Sequence, residues 1–130
     1  MAIPNGAGGY QVGDGNLSEV TLGVQSTPVA LTAATVLTAA QLTNGIVTYT
    51  GAVANITLPT VALTEALVSS AKVNSSFDFS IINIGGTNTA TVVAGTGWTL
   101  VGVVTDLALV SSSWRAVKTG DGTWSAYRLA

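Results

Sequence analysis

From Pro28 to the end of the chain, apolar residues come in short runs that break off at Gly, Asn, Asp or Pro. That punctuation limits the fold more than any other feature. An amphipathic helix repeats its apolar positions over about 11–18 residues, whereas a strand needs only about 4–8. Strands fit at Val29–Leu31, near Val36, at Ile46–Tyr49 and across Ile56–Leu58, where Pro59 ends the alternation. "SSFDFSIINIGG" is the clearest of them, with Phe77, Phe79 and Ile81 on one face and Asp78 and Ser80 on the other. Ile82 and Ile84 imply that its second half is covered on both sides. "TATVVAGTGWTLVG" predicts two short strands around the Gly95–Gly97 turn, and "DLALV" predicts another. "SSWRAVKTGDGTWSAYRLA" predicts a hairpin whose loop is Thr119-Gly120-Asp121-Gly122. If Lys118 pairs with Thr123, Trp114 falls opposite Tyr127 and Val117 opposite Trp124.

Helical spacing is scarce. A single turn fits Ala39–Leu42 with Thr38 as N-cap. One proper helix fits "TVALTEALVSSA", capped by Thr60, with Leu63, Leu67, Val68 and Ala71 as its apolar stripe. No fixed-period repeat is visible. The expected fold is all-β: a single β-sandwich or small β-barrel of about eight short strands with one short helix.

The first 26 residues do not share this pattern. Five glycines lie between Met1 and Gly15, and Pro4 keeps the start extended. Tyr10, Val12, Leu17, Val20, Leu22 and Val24 are apolar anchors too widely spaced to form a core, yet more numerous than a disordered linker carries. The expected organisation is an extended N-terminal arm over residues 1–26 and a β-domain over residues 27–130. Such an arm orders on a partner's surface, with Tyr10, Val12, Leu17, Val20 and Leu22 as its contact residues.

Charge sets the kind of partner. Charged residues make up 8% of the 130-residue chain, against roughly 25% in ordinary domains. So little surface charge on a chain that is 48% hydrophobic points to a stable assembly. A net charge of −2 and four cations (Lys72, Arg115, Lys118 and Arg128) leave no basic footprint, which argues against nucleic acid. No apolar run reaches the length of a membrane span, no secretory leader is visible, and there is no cysteine.

The residues that carry chemistry are missing or scattered. Without histidine there is no Ser-His-Asp or Cys-His arrangement and no ordinary zinc site. Asp14, Glu19, Glu65, Asp78, Asp106 and Asp121 stand singly, so nothing in the sequence pairs two carboxylates across one sugar. Asp78 is expected to be solvated or bridged to an arginine. "GDGN" lacks the later ligands of a calcium loop, and the Gly-x-Gly of "AGTGWTLVG" precedes a strand, so neither binds an ion or a phosphate. No cofactor, metal site or enzymatic activity is expected. Trp98, Trp114, Trp124 and Tyr127 are expected in core or subunit-contact roles rather than on a sugar-stacking surface.

Three stretches carry a resemblance: "LTAAQLTNGIVTYTGAVANITLPTVALTEAL", "SSFDFSIINIGGTNTATVVAGTGWTLVG" and the closing "SWRAVKTGDGTWSAYRL". Over roughly residues 30–129 the chain resembles head decoration (cement) proteins of tailed bacteriophages and related β-domains on phage surfaces. The Leu-Pro-Thr, Phe-x-Phe-x-Ile-x-Asn and Gly-x-Gly-Trp-Thr-Leu segments carry the likeness. The glycine-rich "GGYQVGDGN" resembles the starts of phage head proteins. The resemblance implies a homotrimer on the capsid surface of the virion, made in the host bacterial cytoplasm, that clamps major capsid protein subunits together and performs no chemistry. The alternative it leaves is a trimeric tail, fibre or baseplate β-module that binds a receptor or glycan. A host-range lectin-like domain or a carbohydrate enzyme is a third class.

Overall fold

The computed structural model describes residues 22–130. Ten strands and two helices follow in the order β1 (Val29–Leu31), β2 (Thr35–Val36), α1 (Ala39–Thr43), β3 (Ile46–Tyr49), β4 (Ala54–Thr57), α2 (Val61–Leu67), β5 (Ser76–Asn83), β6 (Ala90–Val93), β7 (Trp98–Val101), β8 (Thr105–Asp106), β9 (Ser111–Gly120) and β10 (Thr123–Arg128). The fold is β-rich, as expected. The strands form two sheets, ordered β1-β3-β5-β9-β10-β7 and β2-β4-β6-β8. Neither closes into a barrel.

The chain alternates between the sheets. β1 pairs parallel with β3, and β3 with β5; in the second sheet β2 pairs parallel with β4, and β4 with β6. Each coil therefore contributes one strand to each sheet, and the first two coils close with a helix. Register stacks Val29, Val47 and Ile81 in one row, and Leu31, Tyr49 and Asn83 in the next. Thr35, Ile56 and Val92 align in the second sheet. Val47, Tyr49, Ile81, Ile56 and Val92 are buried in a single core shared by both sheets. The coils approach closely at their corners. A Cβ on Gly51 would strike the carbonyl of Thr32, and one on Gly95 would strike those of Leu58 and Pro59. Only glycine fits there.

Both helix starts form as the sequence predicts. Thr38 Oγ1 accepts from Gln41 N at 3.1 Å while Thr38 N donates to Gln41 Oε1 at 3.0 Å, a reciprocal capping box. The single turn is in fact a five-residue helix. Thr60 Oγ1 accepts from Leu63 N at 3.3 Å, but this helix ends at Leu67, and of the expected stripe Val68 and Ala71 pack on the core while Leu63 and Leu67 do not. Val61 and Thr64 point inward and Leu63 and Leu67 outward. The inward face is settled by the Gly97 corner, which packs on Val61.

The two short strands around the Gly95–Gly97 turn form as expected, β6 in one sheet and β7 in the other, parallel to β10. Tertiary structure corrects other expectations. Residues 107–110 form a turn rather than a strand, after the short β8. In the β9–β10 hairpin an irregularity between Thr123 and Trp124 shifts the register, so Lys118 faces Trp124, Ala116 faces Ala126 and Trp114 faces Arg128. A slip of one residue changes which side chains share a face. This register puts Trp114, Ala116, Trp124 and Ala126 together in the core. On β5, Phe79 and Ile81 face inward as expected, but so does Asn83, while Ile84 is exposed.

Aromatic side chains line the core face of the larger sheet. Trp98 sits 5.8 Å from Trp124, Trp124 is 5.7 Å from Phe77, and Phe79 stacks on Trp114 at 6.2 Å. All three indole N–H groups are satisfied within the chain: Trp98 Nε1 donates to Pro59 O at 2.7 Å, Trp114 Nε1 to Ser112 Oγ at 2.8 Å, and Trp124 Nε1 to Glu65 Oε2 at 3.1 Å. Glu65 also pairs with Lys118 Nζ at 3.0 Å, tying α2 to the hairpin.

Candidate functional site

The third coil ends in a polar network. Asn83, fully buried, donates from Nδ2 to the carbonyls of Asn88 (2.7 Å), Asp106 (3.0 Å) and Leu107 (3.2 Å), and its Oδ1 accepts from Gly85 N at 3.1 Å. Asp106 is buried beside it. Ser112 Oγ donates to Asp106 Oδ2 at 2.7 Å, and Arg128 Nη2 lies 3.3 Å from Oδ1. Arg128 Nη1 also donates to the carbonyls of Val103 and Thr105 at 3.0 Å each, and Nε to Ala130 O at 3.1 Å. Burial pushes the Asp106 carboxyl above its usual range, against the Ser112 hydrogen bond and the Arg128 charge.

A buried carboxyl with a raised pKa is the usual mark of a catalytic acid. Here the geometry argues for structure instead. Asp106 is sealed from solvent, and the groups around it belong to its own chain, holding the β7–β8 loop and the C-terminus to the third coil. Among the described residues no three acidic side chains converge. Asp78, the other paired aspartate, forms the arginine bridge expected of it: Arg115 Nε meets Oδ1 at 2.8 Å and Nη2 meets Oδ2 at 3.1 Å. This exposed pair lowers the Asp78 carboxyl below its ordinary range.

Beside the Asp106 network lies an exposed apolar surface. Val103, Leu107, Val110 and Leu129, with Thr105 and Arg128, line a shallow cleft of about 490 Å³. Leu109 stands beside it, its N–H bonded to Gly85 O at 3.1 Å, which brings it next to exposed Ile84. Val101 pairs with Tyr127 across β7 and β10, and Arg115 pairs with Tyr127 across β9 and β10. Arg128, the one charge within the cleft, is already paired with Asp106.

The expected contact residues divide into three groups. Tyr10, Val12, Leu17 and Val20 lie outside the described residues; Leu22 is described and stands exposed with Val24. Trp98, Trp114 and Trp124 lie in the chain's own core, the first of the two roles expected of them. Tyr127 keeps 38% of its surface exposed and faces outward, as a contact residue would. The cleft residues were not singled out from sequence: "DLALV" reads as a strand, and a turn at Leu109 carries no Gly or Asn to mark it. Among the described residues no helix is long and apolar enough to cross a membrane. Comparison with family models, with curated proteins and with solved structures gives no match for this chain.

Proposed function

We infer that the chain is a structural virion protein of a tailed bacteriophage. In this reading it is a homotrimeric decoration (cement) protein, its two sheets the faces of a sandwich, that binds the outside of the head and stabilises contacts between major capsid protein subunits. The observation that carries the reading is the root of the N-terminal segment. Leu22 and Val24 are 85% and 100% exposed where the chain leaves the β-domain, so apolar side chains there are free to dock elsewhere. The body behind them is anchored: Gln25 Nε2 donates to Asn44 O at 2.8 Å and Asn44 Nδ2 to Thr27 O at 3.0 Å. A rigid β-body with an apolar leading segment and a sealed polar network suits a clamp better than a catalyst.

A tail, fibre or baseplate β-module is the second reading. The stacked parallel coils favour it, because among the described residues β1 and β2 are edge strands on which further strands can add. Mass-spectrometric stoichiometry of purified virions separates the two. A decoration protein is present in hundreds of copies, and a fibre or baseplate module in a few tens or fewer. For the arm itself, deleting residues 2–20 is expected to leave the β-domain folded and to lower occupancy on capsids that lack the native protein. Full occupancy by the truncated chain at limiting concentration would defeat the arm reading.

A further inference from the structure

Hydrogen-bond direction around Asp106 is fixed from one side. An indole nitrogen can only donate, so Ser112 Oγ accepts from Trp114 Nε1 at 2.8 Å. The single hydroxyl proton of Ser112 then goes to Asp106 Oδ2 at 2.7 Å. Trp114, Ser112 and Asp106 are all buried. Oδ2 is thereby committed as an acceptor. Oδ1 is, among the described residues, the one buried side-chain N or O atom without a hydrogen bond, and Arg128 Nη2 stands 3.3 Å from it. A proton arriving on this carboxyl therefore goes to Oδ1, where it faces the N–H groups of Arg128. Donor then meets donor, and the ionic attraction is lost in the same step.

We propose that the Asp106–Arg128 pair is a proton-operated latch, closed while Asp106 is ionised and opened when a proton on Oδ1 turns the Arg128 guanidinium away and frees the loop before β8. The guanidinium is a rigid plane, and its Nη1 holds the carbonyls of Val103 and Thr105. Nη2 cannot leave Oδ1 without disturbing those bonds. The loop starts at Gly102, where φ is +113° and a Cβ would sit 2.9 Å from Arg128 Cβ, so it lies directly against the arginine. The strand end stays in place, because Leu129 N donates to Ser113 O at 2.7 Å and Ser113 N to Ala130 O at 3.1 Å. No other charge faces Asp106 from the elements around it. Asn83 on β5, strand β6 and residues 102–105 and 107–110 carry none, and Arg115 on β9 is turned to Asp78. Burial raises the carboxyl, which moves the opening to milder acid than an exposed aspartate would need. The folded chain then holds this proton more tightly than the unfolded one, so the latch opens within the fold rather than by unfolding. It lies within one chain and needs no partner.

An NMR titration of the full chain tests it, following the Asp106 carboxyl carbon, the Arg128 Nε–H and the amides of residues 103–105. The arginine and loop signals should shift with the same midpoint as the carboxyl, above the ordinary aspartate range. The indole N–H of Trp98, whose acceptor is Pro59 O, should stay in place. Two variants bracket the result. Asp106→Asn keeps an oxygen for Ser112 and turns its NH2 group on Arg128, so at neutral pH its arginine and loop signals should already sit at the wild-type acid positions. Ser112→Ala leaves Oδ2 free to take the proton, so Arg128 should no longer follow the carboxyl; an arginine that still follows overturns the assignment of the proton to Oδ1. If either variant fails to fold, the wild-type titration decides alone. Arginine signals that stay fixed through the Asp106 midpoint overturn the latch, and so does a carboxyl that remains ionised until the chain unfolds. Loss of the Trp98 signal at that midpoint overturns it as well, because the event is then global unfolding.

Discussion

Replacing Asn83 by alanine should unlock the third coil. An amide nitrogen carries two protons, so its three carbonyl acceptors share two donors, and with the Gly85 N–H the side chain makes three effective hydrogen bonds. Each contributes about 0.5–1.5 kcal/mol net, and buried carbonyls left without a donor raise the cost. We expect a loss of about 3 kcal/mol, with water entering the vacated space setting the lower end. For a domain of this size that corresponds to a fall in Tm of roughly 10–15 °C. Urea titration followed by the fluorescence of the buried tryptophans measures it, with an unchanged m-value showing that the denatured state is the same. Asn83→Asp is the internal control. It keeps the acceptor for Gly85 but turns a second oxygen toward carbonyls, so it should recover stability as acid protonates it. A loss below about 1 kcal/mol for Asn83→Ala would refute the claim that this amide holds the β5–β6 and β8–β9 connections together.

Gly97→Ala should cost about 2–4 kcal/mol, because φ is +93° and the new methyl would sit 2.8 Å from Val61 Cβ and 2.9 Å from Gly122 O. Gly86→Ala, with nothing within 4 Å, should stay within about 0.5 kcal/mol in the same denaturation assay. Two carboxyls should give pH dependences of opposite sign. The Asp106 carboxyl is raised, so its contribution is full below the unfolded pKa of about 3.9 and declines as pH rises through its folded value. Wild type should therefore lose ground to Asp106→Asn as pH is raised from about 4. The Glu65 carboxyl is lowered by its hydrogen bonds from Lys118 and Trp124, so wild type should lose ground to Glu65→Gln as pH falls below about 4.3. Parallel pH curves for wild type and variant would show that neither carboxyl is linked to folding.

What the sequence determined by itself is local. Thr38 and Thr60 cap helices because a hydroxyl reaches a backbone N–H only three residues away, and "SFDFSI" alternates because a pleated strand turns successive side chains to opposite faces. Asp78 lies on the polar face of that alternation, but its partner Arg115 is set by the pairing of β5 with β9. Tertiary structure decided what depends on residues far apart in the chain. The coils align Val29, Val47 and Ile81 through loops of unequal length, so the stacking leaves no fixed period to detect. One irregularity at Thr123/Trp124 reset the parity of the last hairpin, and with it which residues face Trp114. The Gly97 corner chose Val61 and Thr64 over Leu63 and Leu67 as the buried face of α2, since both faces carry residues that a core accepts. All three tryptophans went inward because the two sheets share one core; Trp98 and Trp124 found indole N–H acceptors on distant segments, and Trp114 found Ser112 on its own strand. The exposed apolar cleft fell instead to Val103, Leu107, Val110 and Leu129, from three separate stretches of chain that meet beside the Arg128–Asp106 pair.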